Sequence, residues 1–280
     1  MSIEKRACCQ YKNERADDAG VEALKLYLPV SDGFINYNIV HSVTKGSNCN
    51  TWRLSAVYHC DDELQRVRPL TRTGAEWEMA LMIQERPDFI GGYAHGDEVY
   101  EKLELTLDGK KVEKDELYEI VTFDELVAEV WSVGYDPIDS ATKSLLHYKR
   151  IIVDKEQVKV EQRVEWLNDY LLGKSYMAMM PPYKDVTDHY YTNTDTTKKP
   201  ISVNVNITEA GDFDTLYLCG ESGFTFSMKI EKYLADGQNS FLVSDNGGVP
   251  YNKMYFPLHH GGSVERGDIW ETTTVYTVKN

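Results

Sequence analysis

At 280 residues, with 42% hydrophobic and 27% charged residues, the chain is long enough to bury a sizeable core and too apolar to be a disordered tail. Its formal net charge of −15 works against a nucleic-acid binder, which needs Lys and Arg to neutralise phosphates, and against docking on an anionic membrane. Neutral glycans, cations and basic proteins remain as partners.

Tyrosine is over-represented: 19, against 8 Phe and 5 Trp. Tyr favours strands and also supplies flat amphipathic contact area. Five cysteines (Cys8, Cys9, Cys49, Cys60, Cys219) are odd in number and show no Cys-x-x-Cys spacing, so free thiols are expected. No apolar run approaches the roughly 20 residues of a membrane span, and the N-terminus lacks the apolar core of a signal peptide. The expected setting is a virion or an extracellular surface reached without a classical signal, and otherwise the cytoplasm.

In chain order, residues 1–20 are polar and without period, an expected N-terminal arm or linker; residues 21–280 read as one β-sandwich domain. Leu24 to Val30 alternates, Ser31-Asp32-Gly33 signals a turn, and Phe34 to Val43 reads as a second strand. Thr51 to Tyr58 follows as a strand after a polar loop. Val99 to Leu107 alternates into Asp108-Gly109, a two-residue hairpin signal with the return strand starting at Lys110. Residues 121–133 give the best helix candidate: Thr122 and Glu125 fit a capping box, and Phe123, Leu126, Val127 and Val130 share a helical face. A strand also suits Val130 to Val133.

His147 to Leu167 reads as one long strand or a bent pair. Val158, Val160, Val164 and Trp166 alternate there with Lys159, Glu161, Arg163 and Glu165, so one face is solvated, as in an antiparallel sheet. Leu171 to Met180 is apolar and methionine-rich. Ile201 to Ile207 alternates without exception and is the plainest strand in the chain. Shorter strands follow at Thr215 to Cys219, Phe224 to Ile230, Tyr251 to Phe256 and Trp270 to Val278. Frequent turns and few helical patterns predict an all-β fold: an antiparallel sandwich, compact or elongated, with at most one or two short helices.

Three clusters carry polar chemistry. The first is Pro87 to Glu98, with three glycines and Tyr93, His95, Asp97 and Glu98. His95 suits proton transfer near neutral pH. The plain alternative is a histidine bonding a carboxylate at a sheet corner. No metal site is expected, because no local spacing supplies His95 with further ligands. No cofactor is expected either.

The second cluster is Asn48, Asn50, Trp52 and Arg53. Asn and Arg bind sugar hydroxyls or carboxylates, and Trp stacks on a pyranose. Its alternative is a turn followed by a core Trp. The third is Tyr251, Lys253 and Tyr255, which share one strand face, with His259 and His260 beyond them. That face serves sugar binding or is simply solvated.

The runs Asn50-Thr51-Trp52-Arg53, Gly74-Ala75-Glu76-Trp77-Glu78 and Asp88-Phe89-Ile90-Gly91-Gly92 with His95-Gly96-Asp97-Glu98 resemble a pattern in uncharacterised proteins of bacteriophages and gut bacteria. The Tyr-x-Lys-x-Tyr face is similar to that of β-sandwich polysaccharide lyases, whose Gln-x-His motif and Arg-rich strand are absent here.

Together these readings point to a glycan-engaging β-sandwich of a phage tail or surface adhesin that recognises host polysaccharide. Asn50, Trp52, Arg53, Tyr93, Asp97, Glu98, Tyr251 and Lys253 would bind the sugar. The alternative is a polysaccharide lyase or other glycan depolymerase, with His95 or Tyr255 moving the proton. A second alternative is a structural virion protein. The expected partners are a glycan, other subunits of a virion or surface assembly, and a second copy of the chain, with no nucleic acid and no membrane insertion.

Overall fold

The N-terminal third is an antiparallel meander of β1 (Cys8–Lys12), β2 (Gly20–Val30), β3 (Gly33–Val43) and β4 (Asn50–Cys60), with β5 (Arg66–Pro69) added at the end of β4. The structure is a computed structural model that describes residues 5–14, 20–43, 48–73, 77–84, 89–91, 98–232, 239–245, 247–256 and 258–280. Next come a small ribbon, β6 (Leu81–Met82) with β7 (Phe89–Ile90), and the hairpin β8 (Glu98–Leu107) and β9 (Lys110–Val112). Asp108 and Gly109 both have positive φ, as a two-residue hairpin turn requires. A 3-10 turn (Lys114–Leu117) and β10 (Val121–Thr122) lead to three long strands: β11 (Leu126–Tyr135), β12 (Lys143–Val153) and β13 (Val158–Trp166).

The remaining strands are β14 (Tyr170–Tyr176), β15 (Met179–Met180), β16 (His189–Thr192), β17 (Lys199–Pro200), β18 (Asn206–Gly211), β19 (Thr215–Cys219), β20 (Thr225–Lys232), β21 (Asn239–Asp245), β22 (Asn252–Tyr255), β23 (Leu258–Val264) and β24 (Ile269–Lys279). The main sheet runs β10-β1-β2-β3-β4-β8-β11-β12-β13-β24-β20-β19-β16-β17. A four-stranded sheet, β15-β22-β21-β18, and two ribbons complete the fold. It is all-β, as the turn spacing predicts.

The long sheet folds back on itself. The Ser31 hydroxyl in the β2–β3 turn lies 3.3 Å from the Asn280 side chain, and His59 packs on Phe224 at 5.4 Å. One continuous core therefore draws on Leu24, Ile39 and Trp52 from one end and Leu218, Phe226 and Tyr276 from the other. Gly33 sits where β3 starts close against its paired neighbour β4. Its φ is +127°, and a Cβ there would stand 2.0 Å from the Cys60 carbonyl oxygen. Gly33→Ala should cost about 1–3 kcal/mol in chemical denaturation, by backbone strain and displacement of β4.

Three sequence expectations change. The helix candidate at 121–133 is strand: Leu126, Ala128, Val130 and Ser132 point inward from β11 at a period of two. The Asp108 carboxylate accepts from the backbone N–H of Asp124 (2.8 Å) and Glu125 (2.9 Å), and so anchors this segment to the β8–β9 turn. The alternating run Ile201 to Ile207 enters a strand only at Asn206. Within the expected arm, Cys8–Lys12 is β1, with Cys9 and Tyr11 in the core.

The solvated face expected on 158–166 is present. Lys159, Glu161, Arg163 and Glu165 are half-exposed and form ion pairs such as Arg150–Glu161 and Arg163–Glu165, both at 3.1 Å.

Candidate functional site

β4 and β8 are joined by a single parallel bridge, Asn50 to Val99. Beyond it the ladder stops, and the backbone groups of β4 need other partners. Buried side chains supply them. Lys149 Nζ donates to Trp52 O at 2.7 Å, Leu54 N donates to Glu78 Oε1 at 2.8 Å, and Arg53 Nη1 donates to Leu54 O at 3.1 Å. Val57 N donates to Thr71 Oγ1 at 2.8 Å. Thr71→Val keeps the volume but strands the Val57 N–H, and should cost about 1–3 kcal/mol by urea unfolding.

These groups continue into a buried charge network. Glu98 Oε1 accepts from the Ser132 hydroxyl (2.6 Å), faces His147 Nδ1 (3.0 Å) and lies 3.4 Å from Lys149 Nζ. Burial alone would raise the Glu98 carboxyl. Lys149 and His147, with the bonds from His147 and Ser132, outweigh burial and hold it well below the usual carboxylate range. Gln162 Nε2 donates to Met177 O at 2.7 Å, so its oxygen faces His147 Nε2 at 3.1 Å. The two ring nitrogens of His147 thus face Glu98 on one side and Gln162 on the other.

On the side open to solvent, Trp52 stacks on His41 at 5.2 Å, and His41 bridges Glu22 (2.8 Å) and Asn50 (2.6 Å). Lys114 Nζ stands 5.3 Å from the Trp52 ring centroid and 3.0 Å from Glu22. This cluster borders a recess of about 360 Å³ whose lining includes Trp52, Tyr100, Lys102, Lys111, Glu113 and Lys114.

A second recess, of about 300 Å³, lies on the outer face of the main sheet. Register places Lys102, Trp131, Tyr148 and Arg163 in one row across β8, β11, β12 and β13. The Trp131 and Tyr148 rings are 5.1 Å apart, and Lys102 Nζ is 4.6 Å from the Trp131 centroid. The register shift at Trp131/Ser132 leaves Glu101 without a cross-strand partner, and Glu101 lines both recesses. Such a bulge opens room on a sheet face. The two recesses form a track across β8. Its lining carries Lys102, Lys111, Lys114 and Arg163 against Glu101, Glu104 and Glu113, in a chain with 30 Lys and Arg against 45 Asp and Glu.

Of the residues singled out from sequence, the β4–β8 junction gathers Asn50, Trp52, Arg53 and Glu98. Arg53 and Glu98 are buried in the interior, and Trp52 is almost wholly covered. Tyr93, His95 and Asp97 lie outside the described residues. Tyr251 bridges to Tyr183, and half-buried Lys253 and buried Tyr255 stand on β22 of the smaller sheet. Tyr255 stacks on Tyr176 at 4.1 Å, and Tyr176 neighbours Phe89 at 6.1 Å. Trp131, Tyr148 and Arg163 were not candidates on sequence. Their signal was parity: Glu129 with Trp131, Tyr148 with Arg150, and Arg163 on the charged side of β13.

No family model and no curated protein matches the chain. Among solved structures it is similar to the galactosidase domain of the α-galactosidase-sucrose kinase AgaSK, with a TM-score of 0.53 and 7% identity over 91% of this chain and 40% of that one. Heparan sulfate lyase HepC from Pedobacter heparinus gives a TM-score of 0.46 at 9% identity, over 100% and 37% of the two chains. A putative aldose 1-epimerase from Escherichia coli gives 0.42 at 9%, over 90% and 98%. The chain spans about 40% of the galactosidase chain and 37% of the lyase chain. The likeness to the galactosidase domain is one of fold: a large β-sandwich.

Proposed function

We propose that this protein binds an oligosaccharide chain along the track over β8, without cleaving it. The observation that carries the reading is the row Lys102–Trp131–Tyr148–Arg163, which sets two half-exposed aromatic rings between two cations on an outer sheet face. A pyranose has one apolar face for an aromatic ring, and hydroxyl or carboxylate groups for Lys and Arg. Each recess alone is at or near the low end of ligand-pocket size. Two in line suit linked rings better than one compact metabolite.

Tyr148 takes part through its ring, because its hydroxyl already donates to the Glu129 carboxylate; burial and that carboxylate push the phenol up. The fold shared with a galactosidase domain is in keeping with a sugar ligand. A tail or surface adhesin meeting host polysaccharide is the setting in which such a track works without turnover.

A glycan panel tests this reading. Wild-type protein should retain hydroxyl-rich or uronate-bearing oligosaccharides and leave their length distribution unchanged. Rising absorbance from unsaturated uronate products would replace binding by lyase activity, and silence across the panel would remove the glycan reading.

A further inference from the structure

The run Ile201-Ser202-Val203-Asn204-Val205-Asn206-Ile207 has the most regular strand alternation in the chain, yet residues 201–205 lie in no strand. Val205 N donates to Ser202 O at 3.3 Å, closing a turn that leaves Val203 68% and Val205 43% exposed. Asn204 sits at φ 60°, a left-handed conformation, steadied by the Gly247 N–H donating to its Oδ1 at 2.8 Å. β18, which continues the run, is the last strand of its sheet, and no described strand pairs with its outer side. An apolar alternation beside an open edge is a template for another strand.

We propose that Ile201–Ile207 pairs antiparallel with the same segment of a second copy, about a two-fold axis through Asn204. The run reads almost the same in both directions, as an isologous interface needs. Centred on Asn204, Val203 lies opposite Val205, Ile201 opposite Ile207, Ser202 opposite Asn206, and Asn204 opposite itself. All apolar pairs then fall on one face and all polar pairs on the other. Pairing draws the 202–205 turn out into extended chain. It exchanges one left-handed residue, the turn bond and the bonds of Asn204 and Val205 to the 245–247 segment for a strand ladder, and covers both valines.

Charge favours this partner. A chain of net charge −15 repels its own copies over most of its surface. From Ile201 to Thr208 there is no charged side chain. The flanking carboxylates, Asp195 (3.3 Å) and Glu209 (3.2 Å), are both held by Lys199. The strip is a place where two acidic molecules can approach with no charged side chain of the strip itself facing its copy.

Sedimentation over a concentration series, with and without cysteine cross-linking, tests the pairing. Wild type should shift from monomer to dimer mass as concentration rises. Val203→Lys, at an exposed position, should weaken dimerisation at least tenfold while leaving the monomer folded. Under mild oxidation Asn204→Cys should cross-link with itself, and Ser202→Cys, which faces Asn206, should not. The native cysteines are buried, and burial pushes Cys8 and Cys60 up to about 11 and Cys9 to about 12, so they compete little. A monomer at every concentration would overturn the proposal, as would equal cross-linking at 202 and 204.

Discussion

Glu98→Ala should destabilise the fold by roughly 3–5 kcal/mol, the loss seen when one partner of a buried ion pair is removed. The substitution leaves Lys149 and His147 in the interior without their carboxylate and leaves the Ser132 hydroxyl with only the more distant His147 carbonyl oxygen, at 3.3 Å. Urea unfolding followed by tryptophan fluorescence measures it. Glu98→Gln should lose less, because its amide oxygen still accepts. Replacing Glu98 and Lys149 together by Met should recover part of the loss, since no lone charge then remains, although Trp52 O loses its donor. A change below about 1 kcal/mol for Glu98→Ala would mean that water reaches these groups.

The same network sets an acid dependence. The Glu98 carboxyl is lowered on folding, so the unfolded chain takes up its proton at higher pH than the folded one. Its stabilising contribution is complete above the ordinary carboxyl range. It is lost as pH falls below that range towards the depressed folded value. In Glu98→Gln, the slope of stability against pH between about 5 and 3 should be shallower than in wild type.

Trp131→Ala should weaken oligosaccharide binding by at least tenfold, about 1.4 kcal/mol, and leave the fold nearly as stable as before. Trp131 supplies the broadest flat ring of the row and is half-exposed, so its loss removes contact area at the surface and opens no interior cavity. The packing lost with it is the Lys102 cation over the ring, about 0.5–1 kcal/mol at an exposed site, and the contact with the Tyr148 ring at 5.1 Å. Lys111→Ala tests the other recess. It should weaken binding of uronate-bearing chains more than neutral ones, and the difference should shrink as salt rises. Titration calorimetry on the two variants separates stacking from charge.

Much of this fold is legible in local pattern. The strand at Val99 to Leu107, the Asp108-Gly109 hairpin and the two-faced 158–166 strand follow from alternation and turn chemistry, which act over a few residues. Trp131 shows where that reading stops. Phe123, Leu126, Val127 and Val130 satisfy a helical spacing as well as a strand, and the ladders to β8 and β12 on either side, with the anchoring of 124–125 by Asp108, decide for the strand. Tyr148 meets Trp131 because the β11–β12 turn sets the register, which no local pattern encodes. Lys149 and His147 point inward against the usual rule for charges. Lys149 does so because a β4 carbonyl with no neighbouring strand needs a donor, and His147 because Glu98 and Gln162 both present acceptors to it. Asn50 and Glu98 are brought together by one parallel bridge between strands distant in sequence.

A crystal structure with a panel-selected oligosaccharide bound tests the track most directly. The account predicts a sugar ring against Trp131 and Tyr148, with the chain passing Glu101 towards the recess beside Trp52. Sugar seated instead on the Phe89–Tyr176–Tyr255 aromatics of the smaller sheet, or on no part of β8, would contradict it.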